Sequence, residues 1–258
     1  MDYTRYTMFD DPIPYKNLLI YPVKLRDYRK FEFYFSCCVL EKNSISNNPE
    51  LAVKAISMTY LDYLYHISNE ENKLMYLLDG LLRLVLNDDD ADIRQMKKDT
   101  GSYFEIRGQK FFSEEFNEIR NILAEQNLVE LPDEKIQKSV RNALEEARRF
   151  KQKINKTRPA PFEEQMIALS LYSGLPLESI YNMTLRKFIL SIQRANHMIM
   201  SDIYLNASMS GFVKFKNKDV LRGWLADIKD DDKYGDVTMG LDSITKKISG
   251  EEAKENKK

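Results

Sequence analysis

The chain has 258 residues, of which 43% are hydrophobic and 31% charged, and its formal net charge is −1. This length supports a core in one large or two modest domains, and the near-neutral charge argues against a general binder of polyanions. Only 9 glycines and 8 prolines are present, too few for a β-sandwich with many tight turns. We therefore expect a mainly α, multi-helix globular protein with a small β-hairpin-like insertion.

The cysteines and the N-terminus indicate the compartment. Cys37 and Cys38 are adjacent and have no distant partner, so buried free thiols in a reducing compartment are expected. The first eleven residues are acidic and polar where a signal peptide needs an apolar run. No apolar segment approaches the roughly 20 residues of a membrane span. The sequence predicts a cytoplasmic protein with no membrane contact.

The first half of the chain is predicted to hold an arm, a helical unit and an insertion. Residues 1–22 contain three prolines and indicate an extended arm that packs Tyr15, Leu18 and Leu19 onto the body or a partner. Residues 23–90 repeat apolar side chains at steps of three and four, which predicts three helices. Residues 91–132 predict two or three short strands around glycine turns, followed by a helix capped by Ser113.

A highly charged helix is predicted over residues 133–158. The segment carries nine basic and four acidic residues, a net charge of +5, beside a thin apolar stripe. Such a stripe is typical of a projecting or loosely packed helix. Its basic side chains are the candidates for contacts with phosphates: Lys138, Arg141, Arg148, Arg149, Lys151 and Lys153.

Residues 159–228 predict a C-terminal helical unit, and residues 229–258 a flexible tail. The best-defined element is a helix capped by Thr184, with an apolar stripe that includes Leu185, Phe188, Ile199 and Ile203. Trp224 lies in a predicted last helix. The tail holds eight acidic and seven basic residues with few apolar ones, a composition typical of disorder.

No motif in the chain predicts catalysis or a cofactor. The two histidines, His66 and His197, lack the clustered partners of a metal site. The acidic run that begins at Asp88 lacks the alternating spacing and the glycine of a calcium loop, which favours solvated turns. There is no phosphate loop, dinucleotide fingerprint or nucleophile elbow. We expect a protein that is not an enzyme and carries no metal or cofactor.

Two binding functions remain. In one, the basic helix over residues 135–156 contacts nucleic acid, and the helices around Gly174 form a helix-turn-helix. Its second helix, however, offers Glu178, Ser179 and Tyr181 rather than basic and amide side chains. In the other, aromatic and apolar faces serve protein assembly, including a homo-oligomer. The charge balance favours protein partners, with nucleic acid as the alternative.

Several blocks of the sequence carry a family resemblance. The blocks IYPVKLRDYRKFEFYFSCCVLEKNSI, ISMTYLDYLYHI, LPLESIYNMTLRKF and SMSGFVKF together resemble proteins encoded among phage tail and baseplate genes. The group is related to the baseplate hub and tail-assembly chaperone proteins of myophages. The resemblance implies a non-enzymatic role, other tail or baseplate proteins as partners, and a location in the host cytoplasm or the virion tail. The predicted partner-binding residues are Tyr15, Leu18, Tyr21, Tyr28, Phe31 and Trp224.

Overall fold

The computed structural model describes residues 3–42, 55–68, 73–96, 101–132 and 160–213, with isolated positions at 142–143, 146–147, 150, 215 and 223–225. Residues 1–135 and 161–224 form one compact unit, and residues 136–160 and 225–258 form a second. In the second unit, the described positions 142–143, 146–147 and 150 are helical.

The first unit is mainly helical and contains two small antiparallel sheets, which confirms the predicted fold class. The helices whose bounds lie within the described residues are α1 (Thr4–Phe9), α2 (Tyr28–Phe35), α3 (Tyr60–Ser68), α4 (Lys73–Leu86), α5 (Ser113–Asn127), α6 (Phe162–Ser173), α7 (Leu177–Asn182) and α8 (Leu185–Met209). Its strands are β1 (Ile13–Tyr15), β2 (Leu18–Ile20), β3 (Ile93–Met96), β4 (Tyr103–Ile106) and β5 (Gln109–Phe111). Short 3₁₀ turns at Leu25–Asp27 and Ser36–Cys38 flank α2.

The N-terminal segment is not the extended arm that the sequence predicted. It holds α1 and an antiparallel hairpin of β1 and β2, in which Ile13 pairs with Ile20. Successive side chains of a strand point to opposite faces of the sheet. Tyr15 and Leu18 therefore lie in the core, whereas Leu19 points outward and is exposed. Proline is compatible with this hairpin because β1 pairs with β2 alone and is therefore an edge strand, and Pro22 follows the end of β2.

The second sheet confirms the strands predicted over residues 91–112. Its order is β3-β4-β5, with Ile93 opposite Ile106 and Phe104 opposite Phe111. The rings of Phe104 and Phe111 stack at 5.3 Å between centroids and are fully buried. The sheet therefore contributes to the main core.

The start of α5 differs from the predicted serine cap. Ser113 is already helical, and its hydroxyl lies 2.7 Å from the Thr59 hydroxyl. The backbone NH of Phe112 instead donates to the Glu115 carboxylate at 2.8 Å. Glu115 also pairs with Lys16 of the β1–β2 turn at 2.7 Å. The Lys16 contact lowers the pKa of Glu115 and ties the hairpin to the start of α5.

One core joins both halves of the chain. Helix α4 packs on α2, on α3 and on β2, and α3 packs on α5. Helix α8 packs on α5 and α6. The buried cluster accordingly includes Leu169, Ile180, Leu185 and Phe188 together with the side chains of the N-terminal half. Residue 91, predicted to begin an insertion, lies inside this single compact unit.

A buried arginine organises the centre of this core. Arg120 on α5 donates two hydrogen bonds to the Cys38 carbonyl, at 3.0 and 2.7 Å. Its guanidinium lies over the Tyr60 ring, 3.4 Å from the centroid. The Tyr60 hydroxyl in turn donates to the carbonyls of Cys37 and Leu40. These contacts supply hydrogen-bond donors to backbone carbonyls in the 3₁₀ turn that follows α2 and at Leu40.

Cys37 and Cys38 are buried free cysteines, as predicted. Their sulfur atoms are 3.9 Å apart. The hydrogen bond between the thiols, together with burial, raises the pKa of Cys37. A protonated thiol of this kind is a poor nucleophile, so the pair packs the core.

Candidate protein-binding surface

Helix α6 is apolar on two sides but packs on only one. Its inward side buries Leu169 and packs Phe162 and Met166 against the core cluster. On the other side Ile167 and Leu171 are exposed, and the helical spacing of four residues places them one above the other. The apolar side of a helix normally packs against other protein surface. Its outer side is therefore a candidate for covering by another molecule.

The exposed surface continues around the turn into α7. All residues from 171 to 179 are exposed. The set that we call the α6–α7 face comprises Glu163, Glu164, Ile167, Ala168, Leu171, Tyr172, Leu175 and Leu177. The five large apolar members are between 37% and 81% exposed, with Leu171 the most exposed. They present roughly 500 Å² of apolar surface, within the range of the largest patches on monomeric proteins, which are often functional.

The turn between α6 and α7 is fixed by its own hydrogen bonds. Gly174 has φ +71°, and its NH donates to the Ser170 carbonyl at 2.9 Å, which ends α6. The Ser170 hydroxyl donates to the Leu175 carbonyl at 2.6 Å. The Leu175 NH donates to the Ser173 hydroxyl at 3.3 Å. The exposed leucine at 175 is thus presented by an ordered turn.

Backbone hydrogen bonds join the α7–α8 junction to the N-terminal half. Lys24 and Thr184 form an antiparallel bridge. Beside it, the Leu25 NH donates to the Met183 carbonyl and the Leu185 NH to the Val23 carbonyl, each at 2.8 Å. The bridge holds α7 and the start of α8 against the core.

Side chains reinforce the same junction. Thr184 caps α8, as predicted, by accepting a hydrogen bond from the Lys187 NH at 3.3 Å. The Thr184 hydroxyl also donates to Asp10 at 2.9 Å, and the Lys187 ammonium pairs with Asp10 at 2.6 Å. Arg26 donates to Asn182 and to Glu178. The α6–α7 face is therefore mounted on a rigid support, which lowers the conformational cost of binding a partner.

The α6–α7 face has one sign of charge. From residue 159 to residue 185 the chain contains three acids, Glu163, Glu164 and Glu178, and no lysine or arginine. Glu178 is engaged by Arg26 at 3.3 Å. Glu163 and Glu164 are exposed in the first turn of α6. The face thus combines an apolar stretch with two carboxylates at one end.

The apolar stripe of α8 leaves the core along its length. Leu185 and Phe188 are buried, and Ile192 packs on the core, but Ile199 and Ile203 are exposed. The sequence correctly predicted the stripe, but only its N-terminal half is covered within the described residues. The C-terminal half is a second exposed apolar surface.

The structure places the six predicted partner-binding residues in three different environments. Tyr15, Leu18 and Phe31 are buried core residues, so the prediction that they contact a partner is corrected: their apolar patterning reflects packing within this chain. Tyr21 and Tyr28 are half-buried. Trp224 lies in a turn and is 51% exposed. Its backbone carbonyl accepts a hydrogen bond from the Arg194 guanidinium at 2.9 Å.

Tyr28 has a structural partner of its own. Its ring stacks on Phe162 at 4.4 Å between centroids, and its hydroxyl donates to Glu32. Burial raises the pKa of Tyr28, and so does the hydrogen bond to Glu32. This stack joins α2 to the start of α6.

The basic residues of the alternative interface lie outside the described residues. These are Lys138, Arg141, Arg148, Arg149, Lys151 and Lys153. The predicted tail over residues 229–258 also lies outside them, as does most of the predicted last helix. Their roles stay predictions.

The acidic run that begins at Asp88 is matched by arginines. Asp88 pairs with Arg107 at 2.5 Å, which lowers the pKa of Asp88. Arg83 pairs with Asp79 at 2.8 Å and donates to the Asp89 carbonyl. Across the described part of the chain, no group of three or more side chains is arranged to hold a metal ion.

Sequence periodicity missed the exposed side of α6. The prediction of a helical unit over residues 159–228 did not specify which apolar side chains of this helix are covered, among them Met166, Ile167, Leu169 and Leu171. These four residues cannot share one side, since successive helical residues point about 100° apart. That excess of apolar positions over one stripe was the available signal.

The fold and the exposed faces define a mainly helical protein with an apolar surface on its C-terminal helices. Within it, residues 152–229 match the family model described as the YomV second domain, a phage-derived domain family. The match is consistent with a phage protein, and it includes all of α6, α7 and α8. No curated protein and no solved structure matches the chain. Among the helices described, none has both the length and the apolarity to span a membrane.

Proposed function

We propose that the protein is a non-enzymatic phage protein that acts through protein–protein contacts, in tail or baseplate assembly. The observation that carries the proposal is the α6–α7 face, where apolar side chains are exposed on a helix that the core covers on one side only. An apolar surface of this size is unfavourable in water and is stabilised when a partner covers it. The match to a phage-derived domain over this region supports the phage setting.

The finer assignment to tail or baseplate rests on the resemblance of the sequence blocks. An assembly chaperone would hold its partner transiently, whereas a virion component would keep it. The roughly 500 Å² of apolar surface on this face equals the apolar part of a standard stable interface, which buries roughly 800 Å² per partner and is a little over half non-polar. This area is compatible with either role.

The test is affinity capture of the tagged full-length protein from cells that express the neighbouring phage genes, with nuclease treatment. The informative variant is the double change Ile167→Gln/Leu171→Gln, which removes exposed apolar area without adding charge. The matched control is Leu19→Gln/Phe33→Gln, two exposed apolar residues on β2 and α2. Surface changes of this kind shift stability by only about 0.5 kcal/mol, and thermal unfolding verifies that both variants are folded.

We expect wild type and control to recover the same tail or baseplate protein, and the double variant to recover at least tenfold less. Equal recovery by all three would refute the placement of the interface. Recovery of nucleic acid alone would favour the alternative function, in which the basic segment over residues 135–156 binds phosphates. In that case binding would fall steeply with salt and be lost when Arg148, Arg149, Lys151 and Lys153 are replaced by alanine.

A further inference from the structure

The chemistry of the α6–α7 face specifies more than an apolar partner. Along α6 the outer side runs from Glu163 and Glu164 through Ile167 to Leu171. At 1.5 Å per residue this stretch is about 12 Å long. Leu175 and Leu177 extend the apolar part beyond the end of the helix. The face therefore has a direction, with carboxylates at one end and leucines at the other.

We propose that the α6–α7 face binds an amphipathic helix of a partner protein, with lysine or arginine at the end that lies beside Glu163 and Glu164. This inference rests on the proposed function and names the chemistry of its partner. An amphipathic helix presents apolar anchors at i, i+3 or i+4, and i+7 along one side, and these can pack on an exposed apolar helix surface. Two to three helical turns of such a partner span the apolar part of the face.

Charge complementarity selects a basic partner. The region from 159 to 185 contributes three acids and no base, and the described residues provide no ion-pair partner for Glu163 or Glu164. The two carboxylates also suit the first turn of α6, because negative charge there complements the helix dipole. That internal role does not neutralise them, so an incoming cation still gains from both. An acidic partner would meet only repulsion at this end.

The ordered support favours recognition by a preformed surface. The turn after α6 is held by the Ser170 and Ser173 hydroxyls, and the α7–α8 junction by its bridge to Lys24. The exposed side chains can therefore be tested by substitution without disturbing the core. Ile167 and Leu171 test the apolar part, and Glu163 and Glu164 test the charged part.

The experiment measures fluorescence anisotropy of a labelled, designed amphipathic helical peptide on the purified full-length protein. One peptide carries leucines along one side and two lysines at one end, and its matched control carries two glutamates in place of the lysines. The protein variants are wild type, Ile167→Gln/Leu171→Gln, Glu163→Gln/Glu164→Gln and the control Leu19→Gln/Phe33→Gln. Each is titrated at low and at high salt.

We expect the lysine peptide to bind wild type and the control at least tenfold more tightly than the glutamate peptide. Glu163→Gln/Glu164→Gln should weaken binding of the lysine peptide about tenfold and remove most of its salt dependence. Ile167→Gln/Leu171→Gln should weaken both peptides. The inference that the partner is basic would be overturned if wild type bound the two peptides with equal affinity. It would also be overturned if Glu163→Gln/Glu164→Gln bound the lysine peptide as tightly as wild type does.

The outcomes separate this inference from the proposed function. Affinity capture could be lost in Ile167→Gln/Leu171→Gln but unchanged in Glu163→Gln/Glu164→Gln. In that case the α6–α7 face binds the partner but the partner is not basic, and only the inference is overturned. If Ile167→Gln/Leu171→Gln alters neither capture nor peptide binding, both fail. Sedimentation tests whether a second copy covers the face. If wild type self-associates and Ile167→Gln/Leu171→Gln does not, the face binds a second copy, and the inference of a basic partner helix is overturned.

Discussion

Replacement of Arg120 by methionine should destabilise the first unit by about 2 kcal/mol. The change removes both hydrogen bonds to the Cys38 carbonyl and leaves that carbonyl buried without them, at a cost of about 1–3 kcal/mol. It also removes the guanidinium from the Tyr60 ring, which is worth about 2 kcal/mol in a desolvated setting. Methionine avoids burying a charge, and this relief offsets part of the loss. Because the guanidinium is well bonded, the loss should win.

The assay is urea unfolding monitored by far-UV circular dichroism, with the free energy obtained by linear extrapolation. Tyr60→Leu and the double variant complete a double-mutant cycle, and a coupling of about 1 kcal/mol or more is expected between the two residues. Tyr60→Phe is the control that keeps the ring and removes the hydroxyl bonds to Cys37 and Leu40. A stability equal to or above wild type in Arg120→Met would refute the reasoning, because it would mean that desolvation of the charge outweighs its bonds.

Two further predictions concern contacts at the surface of the core. Thr184→Ala removes the cap of α8 and the hydrogen bond to Asp10. It should lower the free energy of unfolding, measured with urea, by about 1–2 kcal/mol. Thr184→Ser keeps the hydroxyl and should stay within about 0.5 kcal/mol of wild type. An equal loss in both would contradict the capping role. Glu115→Gln removes the ion pair with Lys16 and should cost about 1 kcal/mol at pH 7. Since the pKa of Glu115 is lowered in the folded state from its ordinary 4.5, its contribution is present above that value and is lost as the pH falls through the folded pKa. The difference between wild type and Glu115→Gln should therefore vanish in acid, and a difference that persists there would argue against an ionic origin.

The local elements followed from the sequence because their signals are local. Period-2 and turn patterns located β3 to β5, and the threonine before the apolar stripe located the cap of α8. The N-terminal hairpin was missed since prolines suggested an irregular arm. The structure shows that β1 pairs with β2 alone, and an edge strand of this kind tolerates a proline. The alternation of buried and exposed residues in β1 and β2 was the available signal.

The candidate surface was harder to predict, because exposure is not a local property. Tyr15, Leu18 and Phe31 were among the predicted partner contacts, and all three are enclosed by this chain's own helices and strands. Leu169 and Leu171 lie two residues apart in the same helix, yet Leu169 is buried and Leu171 is 81% exposed. Hydrophobic residues of the same type can be either buried or exposed, and only their tertiary neighbours decide which.

The sequence by itself determined the helical class, the buried free cysteines and the positions of most helices and strands, since composition, periodicity and capping act over a few residues. Only the tertiary structure decided that residues from both halves share one core, that Arg120 is buried against Tyr60, and that the outer side of α6 has no cover within the described chain. These depend on which distant segments meet. The hydrophobic contribution depends on the apolar area removed from water, whether the covering surface belongs to the same chain or to another.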